Sequence, residues 1–347
     1  MDSFRDGVAI WINDLLNADL YIAPPAIEDG GERVDLLAPA ALTAIRNTPG
    51  VAAVSTYRGV KMDLDGRPIT LIAVDLAPQS QTGYRLLEGD PDTVWRQFAT
   101  GKAVLISEPL AYRRQWHPGD RVLLPTPAGP KTFAVAGVFL DYGSEHGRIL
   151  LHHAGYARYW HDSAVGSAAV FIAAGQNPAT VRHDLQVGLG TLQALVIRAN
   201  REIQQFTLDV FDRTFLITGV LRLLAMLVAV VGILSALLAL QLERAREFAV
   251  LRATGMTVGE IGSLAALQTG LMGAMAGLLA IPTGLLLAAV LIFVINRRAF
   301  GWSLPFEVSP WLLPETVVPA ILAALVAGIY PIWRMARVQP AAALRTD

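Results

Sequence analysis

The chain contains no cysteine and little charge. Without cysteine there can be no disulfides, thiolate zinc sites, iron–sulfur clusters or cysteine nucleophiles. A disulfide-free chain is compatible with either redox compartment, so this absence does not assign one. Charged residues make up 16% of the 347 positions, against about 25% in an average soluble chain. Hydrophobic residues reach 53% and the mean hydropathy is +0.44, both pointing towards a membrane. A net charge of −1 offers no basic face for phosphates and argues against nucleic-acid binding. The high apolar content excludes disorder. There is no Gly-x-Ser-x-Gly of a serine hydrolase. Gly101-Lys102 runs into Ala103 without the upstream glycine of a phosphate loop, so no nucleotide site of that type is present. Met1-Asp2-Ser3-Phe4-Arg5-Asp6 mixes charges, and no apolar signal-peptide core follows it.

The charge that is present is unevenly placed. Residues 1–213 hold 19 Lys and Arg against 23 Asp and Glu, whereas residues 214–347 hold 9 against 6. Three long charge-free segments lie in the second part: Leu223 to Leu242, Ile261 to Asn296 and Thr316 to Trp333. The first would span about 30 Å as a helix, one bilayer core. The second would reach about 54 Å, so one end is expected to leave the lipid, and Pro282 near its middle is expected to kink it. Membrane helices are predicted at about 216–242, 261–296 and 314–334. Arg244, Arg246 and Arg252 in the 243–260 loop, with Arg334, Arg337 and Arg345 in the tail, outnumber Arg297 and Arg298 in the 297–310 loop. The positive-inside rule then places the first loop and the tail in the cytoplasm, and residues 1–213 and the 297–310 loop outside. Phe300, Trp302, Phe306 and Trp311 in that outer loop fit an interfacial aromatic belt.

Residues 1–213 read as a mixed α+β domain and residues 214–347 as an all-α membrane bundle of three helices. A helix is predicted over Leu36 to Asn47. Strands are predicted at Val51–Tyr57, Ile69–Leu76, Ala103–Ser107, Arg121–Leu124, Phe133–Leu140, Ala168–Ala173 and Leu195–Ile197, bounded by turn pairs such as Asp65-Gly66 and Pro118-Gly119. Asn177 should begin a helix whose apolar face is Val181, Leu185 and Leu189. An amphipathic stretch from Asn200 to Thr214 leads into the membrane part. His146, His152, His153 and His161 cluster in sequence near Asp141 and Glu145, but their spacing matches no metal motif, and a solvated loop is the expectation.

The 243–260 loop carries the most information. Phe248, Leu251 and the arginines recur at helical spacing, Gly255 suits a helix end, and Thr257-Val258-Gly259-Glu260 fits a capping box. A short helix between two membrane helices can dock into a groove on a cytoplasmic partner, or lie on lipid headgroups. In the second membrane helix Gly273, Gly277, Ala280 and Gly284 follow the small-xxx-small pattern of close helix packing. No ionisable residue occupies the centre of any membrane segment, which argues against an ion pathway through the helices.

These stretches resemble the FtsX-like permease family of ABC systems, the group that includes MacB and the LolC and LolE permeases. The family's loop after its second membrane helix is similar to Arg246-Glu247 with Leu251-Arg252-Ala253-Thr254-Gly255 here. Its end is similar to Tyr330-Pro331, Ala336-Arg337, Pro340-Ala341 and Leu344-Arg345, and Asn296-Arg297-Arg298 with Phe300-Gly301-Trp302 also fits. The likeness covers about 210–347, and residues 1–213 resemble the family's periplasmic domain in layout only. The resemblance implies a non-catalytic permease subunit of the bacterial inner membrane with a periplasmic domain. Arg246, Glu247, Phe248, Leu251, Arg252 and Gly255 would form a coupling helix docking on a separate cytoplasmic ABC ATPase, which binds the ATP. No cofactor or metal is implied in this chain. Further implied partners are membrane lipid, a second permease copy or homologue, and a periplasmic lipoprotein or adaptor. Lipoprotein, lipid or peptide cargo would be handled on the periplasmic side. Alternatives within the resemblance are a mechanotransmission module acting on a cell-wall enzyme and a module for peptide-antibiotic sensing or resistance. The family has four membrane helices, the first ahead of the periplasmic domain, whereas three are predicted here. A late start, a split gene or the second half of a two-bundle permease would account for that.

Overall fold

The computed structural model describes residues 2–25, 36–243 and 245–303, with single positions at 306, 318, 321, 322 and 325. The predicted 314–334 helix therefore lies outside the described residues, apart from four isolated helical positions. Two compact units result. One comprises Met1–Val210 with Ile292–Pro305, and the other Phe211–Leu291 with Phe306–Asp347.

In chain order the first unit contains α1 (Asp2–Leu15), β1 (Leu20–Ala23), α2 (Pro39–Asn47), β2 (Val51–Asp63), β3 (Pro68–Asp75), α3 (Pro78–Gln81), β4 (Leu86–Glu88), α4 (Pro91–Ala99) and β5 (Ala103–Ser107). It continues through α5 (Glu108–Arg114), β6 (Arg121–Leu124), β7 (Lys131–Phe139), β8 (Arg148–His152), α6 (His153–Trp160), β9 (Ser167–Ile172), α7 (Pro178–Gly190) and β10 (Val196–Ala199). All ten strands share one sheet in the order β10-β1-β9-β2-β3-β8-β5-β7-β4, with β6 added beside β7. The β3–β8 and β5–β7 pairs are parallel and the remaining pairs antiparallel.

Period-2 alternation explains how this sheet is covered. All five residues of β5 are buried, because helices cover both of its faces. Val104 and Ile106 pack with Leu110 and Ala111 of α5, Tyr156 of α6 and Phe133 of β7. Ala103 and Leu105 face the other way, onto Val94 and Phe98 of α4. Full burial of Phe133 contributes about 1.5–3 kcal/mol. At the far end of the sheet a separate core joins Leu20, Ile22, Val170 and Ile197 to Ala41 and Ile45 of α2 and to Val181, Leu185 and Leu189 of α7. Asn177 caps α7 by accepting from Ala179 N at 2.9 Å, as its sequence position predicts.

The second unit holds most of α8 (Asn200–Glu243), a single 44-residue helix that joins the predicted amphipathic lead-in to the first charge-free segment. It also holds α9 (Ala245–Ala253) and α10 (Val258–Val290). Pro282 lies inside α10. A π-helical segment, Leu291–Asn296, prolongs α10. Gly259–Ala299, 41 residues, is long and apolar enough to cross a membrane by length and composition, its most apolar 18-residue window having a mean hydropathy of 2.8. A shorter apolar stretch, Gly219–Gly232, lies in α8.

Candidate functional site

The α9–α10 corner is built from its helix-ending residues. Met256 N donates to Leu251 O and Gly255 N to Arg252 O, each at 3.2 Å. That pair of bonds defines a Schellman end to α9, with Gly255 at φ +106 supplying the left-handed residue. The apolar contact that accompanies such an end is present: Leu251 and Met256 pack against Ile261 and Ala265 of α10. Thr257 then starts α10 through a full capping box with Glu260. Its N–H donates to Glu260 Oε2 at 2.8 Å, and Glu260 N donates back to Thr257 Oγ1 at 3.3 Å.

The residues singled out in this loop therefore separate by position. Glu247 is exposed beside exposed Val250, while Leu251 is half-buried inside the corner. Arg252 is half-buried and Gly255 forms the turn. The side chains of Arg246 and Phe248 lie outside the described residues. In α10 Gly273 and Gly277 are buried, whereas Ala280 and Gly284 are exposed, with open space around Gly284.

The segment that follows α10 is anchored onto the α/β unit. Ser303 N donates to the buried carboxylate of Glu108 at 3.0 Å, and Tyr142 Oη donates to Ser303 O at 3.0 Å. Arg113 Nη2 donates to Ala299 O at 3.3 Å, and Asn296 Nδ2 to Trp302 O at 3.0 Å. Arg297 lies over the Tyr112 ring at 5.2 Å. Trp302 stacks on Phe300 at 5.0 Å and meets Tyr142 edge-on at 5.8 Å. Burial, with Glu108 nearby, pushes the Tyr142 hydroxyl up to about 12, so it stays a donor. Gly301 sits at φ +87, where an added Cβ would come within 2.9 Å of Pro109 Cα. Phe300 and Trp302, expected as membrane-interface aromatics, make protein contacts here. Composition could not reveal these partners, because Glu108, Arg113 and Tyr142 are more than 150 positions away.

Beside this anchor is a cavity of about 190 Å³ bounded by Trp11, Tyr21, Tyr57, Tyr84, Asp141 and Arg148, among others. Asp141 accepts from Gly143 N at 2.8 Å and Arg148 Nη1 at 3.1 Å through Oδ1. Its Oδ2 is buried without a partner among the described residues. Burial raises the Asp141 carboxyl above its ordinary value, against the pull of Arg148 and the Gly143 N–H. Of the histidines expected in a solvated loop, His146 lies exposed in one, whereas the other three sit on or at the ends of ordered elements. His152 ends β8 and caps α6, its Nδ1 accepting from Ala154 N at 3.2 Å. His153 begins α6, and His161 follows it in the left-handed region.

Comparison with known proteins identifies the class: residues 219–340 match the FtsX-like permease C-terminal model. The chain carries an FtsX-like permease domain, and its curated relatives include ABC transporter permeases. An uncharacterized ABC transporter permease protein of Mycobacterium tuberculosis is 38% identical over 353 residues, which cover 99% of this chain and 41% of that protein. The lipoprotein-releasing system transmembrane protein LolC of Haemophilus influenzae is 30% identical over 130 residues, 37% of this chain and 33% of that one. The chain thus spans about two-fifths and one-third of these relatives' lengths. Among solved structures, the periplasmic region of MacB from Actinobacillus actinomycetemcomitans aligns with a TM-score of 0.43 at 16% identity, covering 56% of this chain and 95% of that one.

Proposed function

We propose that the protein is a membrane-embedded permease subunit of an ABC system in the bacterial cytoplasmic membrane, with the α/β unit on the periplasmic side. The observation that carries this reading is the match of residues 219–340 to the FtsX-like permease model. Three crossings are proposed, at about 216–242, 261–296 and 314–334. The protein catalyses nothing itself; a separate ATPase subunit binds and hydrolyses ATP. That subunit docks on the 243–260 loop, where Arg246, Glu247 and Phe248 are the contact residues, and Leu251, Arg252 and Gly255 hold the corner in shape. A corner fixed by a Schellman end and a capping box supports this, since a rigid knob transmits force better than a flexible loop. Gly273 and Gly277 pack within the bundle, and Ala280 and Gly284 are available to a second permease copy or homologue. Cargo of lipoprotein, lipid or peptide type is handled on the outer side, helped by a periplasmic lipoprotein or adaptor. A Phe248→Asp change should abolish capture of the co-expressed ATPase while the protein still inserts in membranes; undiminished capture would sink the docking assignment.

A further inference from the structure

A shallow concavity of about 290 Å³ on the α/β unit is lined by Arg67, Arg113, Arg114 and His146 over a floor of Pro68, Ile69 and Leu110. No carboxylate lines it. The nearby acids are already engaged. Asp65 holds Arg114 Nη1 at 2.9 Å, Glu145 lies 3.9 Å from His146 Nδ1, and Glu108 accepts from Ser303 N. Arg114 also donates to Leu64 O at 2.8 Å, so its guanidinium is held in place. Arg67 has no side-chain hydrogen bond or ion pair among the described residues, and it is exposed. It is a free fork-shaped donor at the rim, suited to phosphate oxygens.

The second observation is where this concavity lies. Arg113, one of its walls, donates to Ala299 O, and Ala299 is the last residue of the 41-residue apolar span. Arg297 and Arg298 occupy the same helix end. Where a membrane helix ends, lipid headgroups begin. An arginine-walled hollow with an apolar floor, joined by a hydrogen bond to that end, matches a phosphodiester headgroup above a glycerol and the first acyl carbons.

We propose that this concavity seats the phosphate of an anionic phospholipid from the outer leaflet, with Arg67 and Arg113 as its donors. The proposal rests on reading Gly259–Ala299 as a membrane span. Free inorganic phosphate offers the same oxygens, and the test separates the two sources.

The full chain would be reconstituted into nanodiscs of phosphatidylcholine alone or with phosphatidylglycerol, then released and weighed by native mass spectrometry. Failure to enter either nanodisc would overturn the membrane reading itself, a result distinct from the lipid outcomes. Wild type should retain phosphatidylglycerol in preference to phosphatidylcholine. Arg67→Ala should weaken that retention on the order of tenfold, Arg67→Lys should restore part of it, and Arg96→Ala on α4, across the sheet from α5, should change nothing. Equal retention by wild type and Arg67→Ala would overturn the site. Inorganic phosphate binding to the detergent-solubilised chain as tightly as phosphatidylglycerol would overturn the lipid assignment.

Discussion

Asp162 and Asp141 are carboxylates of one α/β unit whose environments push them in opposite directions. For Asp162, partial burial alone would raise the carboxyl. The Ala164 N–H, the Tyr156 hydroxyl at 3.0 Å and Arg58 at 3.4 Å outweigh it, and the group lies below its ordinary 3.8. A depressed carboxyl adds stability above the unfolded-state value and loses it as pH falls through the folded one. Asp162→Asn should therefore cost about 1 kcal/mol at pH 7, after discounting for solvent screening. Thermal unfolding should show the gap to wild type closing as pH drops below 3.8. Asp141 carries the reverse sign. Its raised value means its contribution is full below 3.8 and declines as pH rises through the folded value. Unfolding midpoints measured from acid to neutral pH should thus show Asp141→Asn gaining on wild type as pH increases. A parallel offset at every pH would contradict that reading.

At the scale of elements, legibility followed how much each segment's neighbours contribute to its pattern. β5, β7 and β9 are readable because they are apolar runs between turn pairs, and α7 because Asn177 precedes a clean helical stripe. The centre of β8 is buried, but its three apolar residues sit between half-buried Arg148 and His152, and so short a run reads as loop. α4 was missed although Asp90-Pro91 is an N-cap followed by proline at the first helical position, with Asp90 accepting from Thr93 N at 3.0 Å. β1 has only four residues, and its place between β9 and β10 depends on partners 146 to 179 positions away. The α9–α10 corner was legible for the opposite reason: all its bonds are local. Its weak point is Gly255, whose φ of +106 disfavours any side chain by about 1–2 kcal/mol. Gly255→Ala should speed amide exchange across Val250–Ile261 by roughly tenfold and weaken ATPase capture in parallel. Faster exchange with capture intact would mean the partner does not read the corner's shape.

For the molecule as a whole, the length of the α10 span is the central fact. Forty-one residues extend about 60 Å as helix, twice a hydrocarbon core of about 30 Å. On the proposed membrane reading, part of that length lies outside the hydrocarbon core. On that reading the chain has the proposed partner-docking corner before α10 and, after it, a segment bonded to the α/β unit. If the two are separate devices, they should fail separately. Gly301 is the position to break, since a β-branched side chain is disfavoured at φ +87 and its Cβ would strike Pro109 at 2.9 Å from Cα. Gly301→Val should release the bonds to Glu108, Arg113 and Tyr142. Hydrogen exchange should then rise on the order of tenfold or more over 108–113 and 297–303. ATPase capture through the 243–260 loop should stay at the wild-type level. Unchanged exchange would mean the anchor does not depend on Gly301, and lost capture would mean the two ends are not independent.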